Sequence, residues 1–220
     1  MAEQTFENLK QQWARSKTGA RPDPRDERRN SLLVALVILI ALVLGWLLKE
    51  VTVSATREMA LGGQLPVLSY PADWLPQQVE GLLFQAVDPA SPSSFDARVS
   101  VYGRDLREGE DLEMISASWP LRRSRELDRY RNLSTESVVG PDGVPAILFT
   151  YAYVADPSRE LGASDLPVVV QAQDLVFIGN DGANDRLVVI TVAADATEWD
   201  MHEPVFQRIF SRLGVKGGNS

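Results

Sequence analysis

Seventeen consecutive residues, Leu32 to Leu48 (LLVALVILIALVLGWLL), carry neither a charge nor a proline. At about 1.5 Å per residue a helix of this length covers about 25 Å, close to a bilayer's hydrocarbon thickness once Ser31 and the flanks are added. Only a helix satisfies its own backbone groups in lipid, so the run reads as a transmembrane helix with the bilayer itself as its partner. A helix buried in a soluble core would carry a polar stripe. Trp46 stands where an interfacial aromatic belongs. The chain therefore divides into a tail (1–30), a span (31–49), a tether (50–65, closing on Gly62-Gly63) and one further domain (66–216).

Basic residues set the orientation. The 20 residues before Ser31 hold six Arg or Lys, against two, Lys49 and Arg57, in residues 49–68. Positive flanks stay in the cytoplasm, so the N-terminus is expected inside and the C-terminal domain outside, at a plasma (inner) membrane. A cleaved signal peptide is the competing reading, with Val53-Ser54-Ala55 as the small-residue site and Thr56 as the mature N-terminus. The basic region and the apolar run both exceed the usual signal-peptide lengths, which favours an uncleaved signal anchor. In the tail, Phe6, Leu9 and Trp13 fall on one face at helical spacing, as a surface helix would place them; a mostly disordered tail fits the short segment too. The prolines of RPDPRDERRN are expected to keep that stretch out of helix.

The chain has 22 basic and 30 acidic residues, a net charge of −8, and the imbalance is concentrated beyond the span: residues 51–220 hold 14 basic and 24 acidic side chains. Such a domain repels phosphate backbones, so nucleic acid is not expected as a partner. There is no cysteine, which removes disulfides, thiol nucleophiles and cysteine metal sites together.

Hydrophobic period predicts strands at Val67–Tyr70, Gly81–Val87 and Phe95–Tyr102, the last alternating Phe95, Ala97, Val99 and Val101 against polar residues. Residues 110–131 have helical composition with Leu112, Ile115 and Trp119 on one face, and Pro120 is expected to break or restart the helix. A hairpin follows: Val138-Val139, the turn Gly140–Gly143, and Ile147–Val154, whose two apolar faces predict a central strand. Val168–Ile178 and Leu187–Ala194 are strands joined by a Gly/Asn/Asp turn. Thr197 caps a last helix through Leu213, with Gly214 ending it. Sequential, hairpin-linked strands with a helix in the middle and one at the end argue an α+β domain, a mainly antiparallel sheet packed by helices.

Tyr70-Pro71 with Trp74, Phe84 before Asp88-Pro89, Trp119 followed by Tyr130, the segment VGPDGVPAILFTYAY from Val139 to Tyr153, and the closing helix from Pro204-Val205-Phe206 to Leu213 resemble the PsbP-like family. That family is named for an extrinsic lumenal subunit of photosystem II. The resemblance spans residues 66–215. It implies an α-β-α sandwich and a non-enzymatic accessory domain attached to a membrane complex, with no cofactor.

The inventory for chemistry is thin. His202, the single histidine, has Asp200 and Glu203 as neighbours and could be imagined as an acid–base group; a surface position at the start of the last helix is the expectation. One histidine cannot build the usual metal sites. Asn180–Asp185 offers oxygens for calcium but lacks EF-hand spacing, and a hairpin turn accounts for it. Arg122, Arg123, Arg125, Arg129 and Arg131 crowd into ten residues. They form either a basic patch for anionic lipid or an acidic partner, or a solvated face paired with Glu126 and Asp128. The leading functional expectation is a membrane-anchored accessory or interaction subunit in a complex of membrane proteins. The alternatives are a binding module for a small apolar ligand, lined by Phe149, Tyr151 and Tyr153, and a hydrolase using two carboxylates.

Overall fold

The computed structural model describes residues 24–155 and 167–217, with side chains at 31–46, 55–155 and 167–217. The helical face at Phe6, Leu9 and Trp13 lies outside the described residues. The chain divides into two units between Ser54 and Ala55.

Among the described residues the first unit contributes one helix, α1 (Pro24–Ser54). It begins inside the stretch expected to resist helix, and Pro24 explains why. At a first helical position proline loses no hydrogen bond, because that N–H has no acceptor, and its φ already suits the helix. The large apolar side chains described on α1 are all at least 48% exposed. Among the described residues no helix is long and apolar enough to cross a membrane. The described side chains of α1 amount to about 24 Å of rise, and the apolar run of the sequence continues to Leu48.

The second unit is α+β. Its main sheet has seven strands: β3 (Leu75–Gln77), β4 (Phe84–Val87), β5 (Arg98–Asp105), β6 (Arg131–Val139), β7 (Pro145–Ala155), β8 (Val168–Asn180) and β9 (Asp185–Asp195). They lie in the order β3-β4-β5-β9-β8-β7-β6, every neighbouring pair antiparallel. β9 is thus the central strand. The segment expected at the centre is β7, one strand from the edge; its Phe149 and Tyr151 are buried on one face, while Leu148, Thr150 and Ala152 on the other are only partly covered.

Two apolar faces need two covers. On one, α2 (Leu112–Glu126) buries Ile115 and Trp119 against Phe149, Tyr151, Val176 and Val189. On the other, α3 (Trp199–Arg212) and the ribbon β1 (Thr56–Ala60) with β2 (Val67–Pro71) close over Val99, Val101, Ile190 and Val192. Asp111 caps α2 by accepting from the Met114 N–H at 2.8 Å. Thr197 does not cap α3. Its hydroxyl donates instead to Asp195 Oδ1 at 2.8 Å, and the helix begins after Glu198 without a side-chain cap. Gly214, at φ +82°, ends α3 in the left-handed region that glycine enters without penalty.

The residues expected as a tether differ most. From Thr56 they are strand, and Leu61 and Leu65 are buried in the core. Gly63 belongs there for fit. A Cβ on it would sit 1.8 Å from the Asp181 carbonyl oxygen, so only glycine lets the β1–β2 turn lie against the β8–β9 turn.

Under α3, Phe206 is fully buried, with its ring 5.2 Å from Trp199, 6.1 Å from His202 and edge-on to Trp74 at 6.3 Å. Phe206→Ala removes this shared contact. It is expected to destabilise the domain by about 3–5 kcal/mol, read as a shift in the denaturant midpoint of tryptophan fluorescence.

Candidate functional site

A charged residue in the middle of an apolar strand must find partners or leave the core. Asp174 is that residue: it sits in β8 within QAQDLVFIG and is 0% exposed. Its Oδ1 accepts from Thr191 Oγ1 (2.6 Å), Tyr151 OH (2.9 Å) and Arg123 Nη2 (3.0 Å). Its Oδ2 accepts from Arg123 Nε (2.7 Å) and Trp119 Nε1 (2.8 Å). The register supplies this geometry. Thr191 on β9 stands directly opposite Asp174, and Tyr151 lies two pairs along the neighbouring strand on the same face.

Trp119 and Arg123 come from successive turns of α2 and flank Pro120. The helix runs on through a proline expected to break it, with the residue before Pro120 and the one a turn beyond it both bound to one carboxylate. The Arg123 guanidinium also lies over the Trp119 and Tyr151 rings, at 5.0 and 5.8 Å. Burial, the largest single influence, would lower its pKa; the Asp174 charge and hydrogen bonds, with the Tyr151 phenol and Glu126, together exceed it and raise the pKa. Burial, then the Asp174 charge, pushes the Tyr151 phenol well above its usual value. Burial pushes Tyr153 up to about 12. Arg123 is thus a fixed cation and both tyrosines stay neutral donors at physiological pH.

A carboxylate offers about four lone-pair sites, and this one already accepts five bonds. It has no capacity left for a substrate proton. The arrangement is a fastener between α2 and the sheet.

Beside it, a cavity of about 290 Å³ lies between α2 and the sheet, lined by residues that include Arg98, Tyr102, Trp119, Arg122, Arg123 and Tyr153. Its walls mix aromatic and aliphatic side chains with three arginines and Glu126, a more polar lining than the apolar-ligand reading named. Of the aromatics proposed to line it, Tyr151 and Tyr153 do; Phe149 is core. A wider groove of about 910 Å³ runs along Met59, Tyr70 and Pro76–Phe84.

The arginine cluster disperses on folding. Arg122 pairs with Glu126 at 2.7 Å and lies over Tyr102 and Trp119, at 4.8 and 5.1 Å. Arg123 is taken by Asp174, while Arg125, Arg129 and Arg131 are exposed. Glu126 serves Arg122 and Arg123, where Arg125 and Arg129 were expected.

His202 is buried at 5% exposure, contrary to the surface position expected for it. Its neighbours are Glu198, 3.7 Å from Nε2, and Asp88, 4.0 Å from Nδ1; Asp200 and Glu203 point outward. The Ser91 hydroxyl donates to Glu198 at 2.8 Å, and Nε2 of the histidine has no hydrogen-bond partner. No serine–histidine pair forms among the described residues. In the Asn180–Asp185 turn, Asp181 Oδ1 accepts from the Ala183 and Asn184 N–H groups, each at 2.9 Å. Asn180 Oδ1 accepts from Gly182 at 2.7 Å. These oxygens hold the hairpin. Among the described residues no group of three acidic or imidazole side chains could hold a metal ion.

Neither Asp174 nor Thr191 belongs to any motif in the sequence. The signal available was a lone carboxylate in a strand whose neighbours are Val, Leu, Phe and Ile.

No protein-family model and no curated protein matches the chain. Among solved structures it is similar to PA94, a Pseudomonas aeruginosa protein of unknown function. That match has 12% identity and a TM-score of 0.41, covering 76% of this chain and 100% of that one. It is also similar to LpqN, involved in cell envelope biogenesis of Mycobacterium tuberculosis (11%, 0.48, 71% and 88%). The third is the Saccharomyces cerevisiae Ran-binding protein Mog1p (13%, 0.42, 73% and 91%). At such identities and scores no function passes from any of them to this chain.

Asp174→Leu removes the buried counter-charge of Arg123, leaving it only the more exposed Glu126 at 3.4 Å, and is expected to cost about 3–5 kcal/mol. Adding Arg123→Met recovers only part of the loss, because the Trp119 and Tyr151 donors remain orphaned at about 1–3 kcal/mol each. Denaturant melts of the two variants check this; full recovery in the double variant would make Arg123 the carboxylate's sole partner that matters.

Proposed function

We propose that the protein is a membrane-anchored, non-enzymatic interaction subunit of PsbP-like type. Its N-terminus is cytoplasmic, residues 31–49 span the plasma membrane, and the α+β domain works outside in association with a membrane protein complex. The observation that carries this reading is the solvent-facing apolar surface of α1. Twelve large apolar side chains between Leu32 and Trp46 are exposed, a patch far beyond what a water-soluble monomer leaves uncovered. Lipid is the medium in which such a surface is stable, and the basic residues before Ser31 favour the stated orientation. The saturation of Asp174 and the separation of Ser91 from His202 support binding over catalysis.

The cavity beside Asp174 favours a second reading, a module for a small ligand. Its aromatic rings suit a small, flat, largely apolar body, with Arg122 and Arg123 already held by Glu126 and Asp174.

Alkaline extraction of membranes tests the anchor: the full chain is expected in the pellet, and protease added to intact cells from outside is expected to cut the domain while sparing a tag at the N-terminus. Recovery in the supernatant, or a mature N-terminus at Thr56, would overturn it.

A further inference from the structure

The two edges of the sheet are unlike. β3 is three residues long and contains Pro76, a short, proline-blunted edge. β6 is nine residues long, has no proline, and is exposed at every position except Ser134 and Val138. Its outer edge already takes a strand partner. Val139 donates its N–H to the Lys216 carbonyl at 3.1 Å and accepts from the Lys216 N–H at 2.9 Å, in antiparallel sense. The peptides on the same face of β6 as Val139, namely Ser137, Thr135 and, past the bulge, Asn132, therefore also turn their N–H and C=O groups outward.

Leu133 is an extra residue in the ladder: the register to β7 shifts between Asn132 and Ser134. A bulge blunts an edge against strands that lack a matching one. A second copy of β6 has it. We propose that the free edge of β6 pairs with β6 of a second copy of this chain, antiparallel, about a two-fold axis between Leu133 and Ser134. Asn132 then faces the partner's Thr135, and Arg131 faces the partner's Glu136, twice over by symmetry. Arg131 and Glu136 stand on one face of β6, opposite Ala152 and Leu148 of β7, so the charges meet on one side of the joined sheet. No ion pair within the chain reaches either residue among the described residues. Charge selects this register: centring the axis on Glu136 sets two carboxylates against each other, and registers that use the Val139 edge compete with Lys216.

The absence of cysteine makes the test clean. Full-length chains bearing Asn132→Cys and Thr135→Cys are mixed and oxidised, in membranes or in detergent, so that the readout does not depend on the anchor. The mixed disulfide dimer is expected, and a Thr135→Cys with Ser137→Cys mixture is expected to give roughly tenfold less. Arg131→Glu is expected to weaken dimerisation roughly tenfold, and Arg131→Glu with Glu136→Arg to restore it. Equal cross-linking in both mixtures, no cross-link in either, or a double charge variant that stays as weak as the single one would overturn the proposal. Unchanged tryptophan fluorescence verifies that each variant is folded.

Discussion

The domain is organised around a carboxylate that cannot reach water. Asp174 lies under α2, and removing it from solvent is tolerable only because a guanidinium, an indole, a phenol and a hydroxyl converge on its two oxygens. An unpaired buried charge would cost several kcal/mol; a paired and fully hydrogen-bonded one fixes the position of everything that donates to it. Those donors come from α2, β7 and β9, so one side chain sets the docking of the helix and the alignment of three adjacent strands. The continuation of α2 past Pro120 is held by the same constraint, with Trp119 and Arg123 both bound to Asp174.

The opposite face is held differently. There the ribbon β1–β2 and α3 bury an aromatic cluster of Trp74, Trp199 and Phe206, with His202 stacked on it. One face of the sheet is thus specified by polar geometry and the other by shape. That division bears on function. The polar face carries the cavity with its arginines and tyrosines, and the edge beside it, β6, is the long one, paired on its outer side only at Val139 among the described residues. Among the described residues the one carboxylate at 0% exposure is saturated, and the histidine is walled in by Phe206, Glu198 and Asp88, the two observations on which the proposed binding role draws.

Much of this architecture is legible in the residues. Alternation places β5, and the Gly/Asn/Asp turn joins β8 to β9 as expected. The stripe Val205, Phe206, Ile209, Phe210 and Leu213 marks α3. Errors arise where a local rule meets a tertiary contact. Gly62-Gly63 reads as flexible, yet Gly63 is required by the close approach of Asp181. The helical stretch reads on to Arg131 and residues 132–137 stay unassigned, because their polar composition conceals an edge strand with no apolar face to reveal its period. ILFTYAYV reads as central because both faces are apolar, while its position beside the edge depends on β6, which the reading cut short to Val138-Val139. The site is the least legible part. Arg122 to Arg131 stand out as a charge run, but nothing local says that only Arg123 turns inward; that depends on Asp174, fifty-one residues away.

Exchange of the Trp119 indole N–H with deuterium examines the central claim directly. If Asp174 is a closed fastener, that proton exchanges only when the whole domain unfolds, and its protection matches the global stability measured by denaturant. Exchange at a rate close to that of an exposed indole would mean that water reaches the carboxylate, and would contradict the account.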